Sequence, residues 1–136
     1  MSRQGRIWFT TGCLAALAAV MLGAFGAHAL RSRLDAPSLA LWQTAVSWHM
    51  PHAIALLGLG LAEQHAARAA LLGWAARLMI AGLLVFCGSL YALALTGERW
   101  LGMLTPLGGT AWIAAWLLAA VAMWPACLLY TSPSPR

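Results

Sequence analysis

Long uncharged apolar stretches alternate with short polar ones along this chain. The runs Ile7–Leu30, Ala36–Ala62, Leu78–Gly97 and Trp100–Pro125 contain no Asp, Glu, Lys or Arg. A helix rises about 1.5 Å per residue and a bilayer core is about 30 Å thick, so about 20 apolar residues are enough to cross it. Each run meets that length. The pattern predicts an all-α integral membrane bundle of four transmembrane helices in one domain over residues 1–126, with helices at about 7–30, 38–62, 74–97 and 104–126. The connections at 31–38, 63–77 and 97–103 are too short to fold separately, so any site must lie within the helices or at a membrane face.

Local signals mark the helix ends. Asp35 before Pro37, and Thr105 before Pro106, each pair a capping side chain with a residue that needs no backbone partner in the first turn. Pro51 falls well inside the second helix, removes the bond to the Ser47 carbonyl, and is expected to kink the helix there. Trp8, Trp42, Trp74, Trp100 and Trp124 sit near the span ends, where an amphipathic ring favours the headgroup level. Trp112 and Trp116 lie within the fourth span, and are expected to face lipid or pack on a neighbouring helix.

Composition agrees with the spans. Charged residues make up 8% of the 136 residues, against roughly 25% in a soluble domain. The net charge of +5 comes from arginines scattered over separate segments rather than gathered in a patch, which argues against nucleic acid as a partner. The expected partner is the lipid bilayer of a bacterial inner membrane. Arg3, Arg6, Arg68 and Arg77 on one side outnumber Arg31, Arg33 and Arg99 on the other, so both termini are expected in the cytoplasm. Ala27-His28-Ala29 has the small-x-small form of a signal-peptide cleavage site, but the apolar run before it is long for a signal sequence, and the segment is expected to remain. Cys13 and Cys87 fall in apolar runs and Cys127 in the tail, without CxxC spacing, so neither a disulfide framework nor a zinc site is expected.

Small residues are the main packing signal. Ala15, Ala19, Gly23 and Ala27 recur every four residues in the first helix, and Gly88 with Ala92 marks the third. Ala111, Ala115 and Ala119, with Gly108 and Gly109, mark the fourth. Such faces let helix backbones approach closely in lipid.

Histidine is the sharpest functional candidate, because ionisable side chains at membrane depth are costly and tend to face the bundle interior. His28, His49 and His52 qualify. Two registers of the first hairpin differ in outcome: one sets His28 level with His52, the other beside Thr44 and far from His52. Converging imidazoles would suit metal, haem or proton passage; the simpler reading is that each forms a hydrogen bond to a neighbouring helix. His65, between Glu63 and Arg68, reads as a solvated loop residue. Arg77 is expected to run its stem along lipid toward the headgroups.

Four segments in order resemble the transmembrane protein 256 and YwdK-like family of small four-helix membrane proteins. They are GAFGAHAL (23–30), WQTAVSWHMPHAIALL (42–57), FCGSLYALALTG (86–97) and LGMLTPLGGTAWIAAW (101–116). Pro51 stands where an aromatic residue is usual, Cys87 where serine is, and Ala115 where glycine is; these departures bear on helix 2 geometry and on helix 3–helix 4 packing. The resemblance implies a four-helix membrane fold and supplies no catalytic residues.

No nucleotide loop, GxSxG elbow or HExxH appears, and Asp35, Glu63 and Glu98 all lie at span ends, so paired acid–base groups are missing. The expected protein is a non-enzymatic structural or accessory membrane component without cofactor, catalytic or metal-ligating residues, able to form a homo-oligomer or join a larger complex. Competing readings are a small transporter or proton-conducting module, and a metal- or haem-binding membrane protein. The last ten residues, CLLYTSPSPR (127–136), read as translated library-adapter DNA and are expected to be non-native.

Overall fold

The computed structural model describes residues 1–66 and 68–129, with side chains through Trp124. Apart from the backbone of 127–129, the adapter-like tail lies outside the described residues. Four long helices follow in order: α1 (Arg3–Leu30), α2 (Ala36–His65), α3 (Ala69–Thr96) and α4 (Thr105–Leu129). A 3-10 turn over Arg99–Met103 leads into α4. By length and hydropathy, four helical segments can cross a membrane.

The helix ends follow the chemistry of their caps. Ser2 opens α1 by accepting the Gly5 N–H at 2.9 Å, and its hydroxyl donates to Glu63 at the end of α2. Asp35 accepts the Ser38 N–H at 2.9 Å, with Ala36 and Pro37 in the first turn. The Ser38 hydroxyl and backbone N–H together hold the Asp35 carboxyl below the usual aspartate range. Gly97 ends α3 with φ +73°, and its N–H bonds the Leu93 carbonyl at 2.8 Å. Only glycine enters that left-handed region without a Cβ clash.

Close packing joins consecutive helices. On α1 the buried small residues are Gly5, Gly12, Ala19 and Gly26, spaced by seven, rather than the four-residue ladder seen in the sequence. Ala15 and Gly23 are half-buried and Ala27 is exposed. The reason is angular: a seven-residue step falls about 20° short of two full turns, whereas at 3.6 residues per turn a four-residue step overshoots one turn by about 40°. A ladder of four therefore walks off the contact line. At Gly12 a Cβ would stand 2.6 Å from the Leu57 backbone nitrogen, and at Gly60 another would stand 2.6 Å from the Gly5 carbonyl. In α4 the same period recurs as Gly108, Ala115 and Ala122, all buried.

On α2 six of the buried positions, Trp42, Ala45, His49, His52, Leu56 and Leu59, step by three and four, the spacing of a knobs-into-holes seam, with Ala53 and Gly60 buried beside them. Pro51 is exposed, and the helix runs unbroken across it from Ala36 to Ala62.

The two hairpins share one local device. The Trp42 indole N–H donates to the Leu22 carbonyl at 2.9 Å, and the Trp112 indole N–H donates to the Met79 carbonyl at 3.2 Å. Each of these carbonyls also accepts from the residue four positions on, Gly26 or Leu83, whose N–H is shared with a second carbonyl. Those residues open one-turn π segments, Gly26–Leu30 and Leu83–Cys87. Shared donors and an inserted side-chain donor both loosen the i→i−4 ladder, which is where π turns arise. Gly26 and Gly82 lie against the two indoles, where no Cβ would fit.

Candidate functional site

Both α2 histidines are buried at adjacent positions of its seam, but they face different neighbours. Nδ1 of His49 lies 3.1 Å from the Tyr91 hydroxyl of α3. His49 thus ties α2 to α3. Beside it a groove of about 350 Å³ runs between α1, α2 and α3.

His52 turns toward α4. Its Nδ1 lies 2.8 Å from the Trp48 carbonyl, so Nδ1–H is the donor and Nε2 is left as an acceptor. The ring stacks on Trp112 at 3.6 Å with planes 9° apart. The Trp116 indole N–H reaches Nε2 at 3.5 Å, the outer limit of a hydrogen bond. Trp48, Phe86, Trp112 and Trp116 surround the imidazole and line a groove of about 370 Å³ between α2, α3 and α4.

His28 joins neither histidine. Gly26 lies against Trp42 and Gly23 approaches Val46, so His28 falls level with about residue 40, roughly 18 Å along α2 from His52 at 1.5 Å per residue. This separates them further than either register read from the sequence, which set His28 level with His52 or beside Thr44, and His28 is exposed in its π turn. Among the described residues no three His, Cys, Asp or Glu side chains stand close enough to hold a metal ion.

The remaining buried polar groups connect neighbouring helices. The Cys87 thiol donates to the Ala45 carbonyl at 3.5 Å, and the Ser89 and Thr105 hydroxyls are 2.7 Å apart. Among the described residues, the buried side-chain atom without a partner is Nε1 of Trp8. Arg77 is exposed and lies over Trp8 at 5.8 Å and Trp74 at 5.0 Å.

Of the glycines singled out from the sequence, Gly108 makes the closest approach, directly on the Phe86 backbone. Gly23 and Gly109 make looser contacts, and a Cβ on Gly88 would meet nothing within 4 Å. Trp8 and Trp42 leave the interfacial belt for the interior, while Trp74, Trp100 and Trp124 stay exposed. Trp112 packs inside, and Trp116 is half exposed beside His52. The aromatic surround of His52 was not anticipated from the sequence. The clue lay in two i,i+4 pairs, Trp48–His52 and Trp112–Trp116, each of which puts two rings on one helix face.

The family profile described as "Protein of unknown function (DUF423)" matches residues 22–109. The UPF0382 membrane protein YwdK of Bacillus subtilis is 39% identical over 117 residues, covering 86% of this chain and 95% of the relative. A UPF0382 membrane protein of Staphylococcus saprophyticus is 37% identical over 116 residues, with 85% and 95% covered. One of Staphylococcus epidermidis is 38% identical over 117 residues, with 86% and 94% covered. No solved structure matches the chain. With a four-helix fold apolar enough for lipid and relatives similar along nearly their whole length, the chain belongs to the DUF423 family of uncharacterised membrane proteins.

Proposed function

We propose that this protein is a non-enzymatic structural or accessory component of the bacterial inner membrane, with both termini in the cytoplasm, that assembles with itself or with a larger membrane complex. One observation supports this most directly: the interior histidines are engaged as ties between helices. His49 bonds Tyr91 of α3, while His52 bonds the Trp48 carbonyl within α2 and stacks on Trp112 of α4. In lipid an interhelical bond such as His49–Tyr91 contributes about 0.6–2 kcal/mol and holds helices in register.

A double-mutant cycle at His49 and Tyr91 tests the structural role. His49→Leu leaves the Tyr91 hydroxyl without its partner and costs about 1 kcal/mol, as does Tyr91→Phe; the double variant regains much of the loss, because the mutual need is gone. Unfolding in mixed micelles reads these differences. The same variants in liposomes distinguish a transporter: a pH-dependent flux through the native chain that disappears in folded His49→Leu would overturn the proposal.

A further inference from the structure

We infer that the groove between α2, α3 and α4 binds an uncharged, membrane-soluble aromatic ring bearing hydroxyl groups, of the quinol class, whose O–H donates to Nε2 of His52. The polar atoms of the groove point to a donor ligand. With Nδ1–H committed to the Trp48 carbonyl, Nε2 is an acceptor held, among the described residues, by the Trp116 N–H alone, at 3.5 Å. Thr110, which also lines the groove, donates its hydroxyl proton to the Pro106 carbonyl at 2.8 Å, leaving its oxygen to accept. Two acceptors thus lie along one groove beside the weakly held Trp116 N–H, and a quinol, whose hydroxyls both donate and accept, can serve all three, whereas a quinone can only accept.

The walls select a flat ring. Trp48, Trp112 and Phe86 pack on one another, with centroids 6.1 Å apart for Trp48–Trp112 and 4.7 Å for Phe86–Trp112; two carbon contacts in series need about 7 Å, so a ligand ring lies against this aromatic wall rather than between its members. The volume of about 370 Å³ falls in the range of about 300–1,000 Å³ usual for small-molecule sites. Depth narrows the class further. His52 is near the middle of the span Ala36–His65, and Trp112 is near the middle of Arg99–Trp124. A phospholipid headgroup at that depth would put charge in hydrocarbon, and an acyl chain offers no donor. Trp48, Trp116 and Ile113 are 48%, 50% and 72% exposed, so the groove opens sideways, toward lipid rather than water. The ligand must therefore arrive through the bilayer.

The test uses the full chain in nanodiscs of phosphatidylcholine and phosphatidylglycerol, with tritiated decyl-benzoquinol kept reduced. Retention over empty nanodiscs should saturate near one ligand per chain. Oxidised decyl-benzoquinone, which has no O–H to donate, should bind about ten- to a hundredfold more weakly, the equivalent of one or two lost hydrogen bonds. Gly109→Leu, which fills the groove beside Phe86, should abolish the excess. His52→Gln keeps an acceptor and should retain it, whereas His52→Leu should weaken it about tenfold. Retention that never saturates, or that is equal for quinol, quinone and decylbenzene, would mean that the groove takes lipid chains only and would overturn the inference. If His52→Leu does not fold, the comparison of quinol with quinone on the unaltered chain decides the matter. Binding here is independent of whether the protein is an accessory subunit, so loss of one reading leaves the other standing.

Discussion

Replacing Gly12 by alanine adds one methyl group where α1 lies directly on α2. The new Cβ would stand 2.6 Å from the Leu57 nitrogen and 2.9 Å from the Ala53 carbonyl oxygen. Both are backbone atoms and cannot swing aside, and ordinary contact needs about 3.5 Å, so the helices must part by roughly 0.9 Å. Such a gap forfeits about a quarter to a half of the dispersion energy of the contacts it opens. Overpacking typically costs about 1–3 kcal/mol, and this rigid site belongs near the top of that range. Alanine's better helix propensity returns about 1 kcal/mol. The net expectation for Gly12→Ala is a loss of about 2 kcal/mol. Gly88→Ala is the internal control: nothing lies within 4 Å of its Cβ, so only the propensity gain of up to about 1 kcal/mol remains. Reversible unfolding in mixed micelles, followed by far-ultraviolet circular dichroism, measures both. If Gly12→Ala matched the parent, or Gly88→Ala lost as much, the placement of the α1–α2 contact line would be wrong.

Two further outcomes follow from the hydrogen bonds. Trp42→Phe and Trp112→Phe each remove an indole donor to a helix carbonyl; each should cost about 1 kcal/mol, and the double variant should lose the sum, because the two bonds belong to separate hairpins. Strong non-additivity in the same unfolding assay would contradict that independence. The Asp35 carboxyl is held below its ordinary pKa of 3.8 by Ser38, so its stabilisation is complete above that value and is lost as pH falls through the lower native pKa. The thermal midpoint should therefore fall with acid below about pH 4, and less steeply in Asp35→Asn, which keeps the capping oxygen but does not titrate. An identical acid decline in both proteins would show that Asp35 is not responsible.

Much of the architecture could be read from the chain because lipid enforces a coarse rule: uncharged runs of sufficient length must be helices. Asp35 and Pro37 set the start of α2 for equally local reasons. The interior was harder to read, since in an apolar span the buried and lipid-facing sides have similar hydrophobicity. The four-residue ladder from Ala15 to Ala27 was conspicuous in the sequence, yet the contacts fall on Gly5, Gly12, Ala19 and Gly26, a choice made by the facing glycine, Gly60, and by the Leu57 backbone. Trp42 looked interfacial because it lies near a span end; its donor is instead drawn inward to the Leu22 carbonyl. His49 and His52 stood out as polar groups within an apolar run, but their divergence depends on whether Tyr91 or Trp112 faces α2. No local pattern encodes that.

The serial contact of α1 with α2, α2 with α3, and α3 with α4 also bears on how the molecule is made. Each hairpin can close as soon as its second member enters the bilayer, because the glycine seats and the indole clasp that secure it are encoded within that hairpin. The first half need not wait for the last to be synthesised, and the slow search for distant partners that burdens intricate topologies is largely avoided.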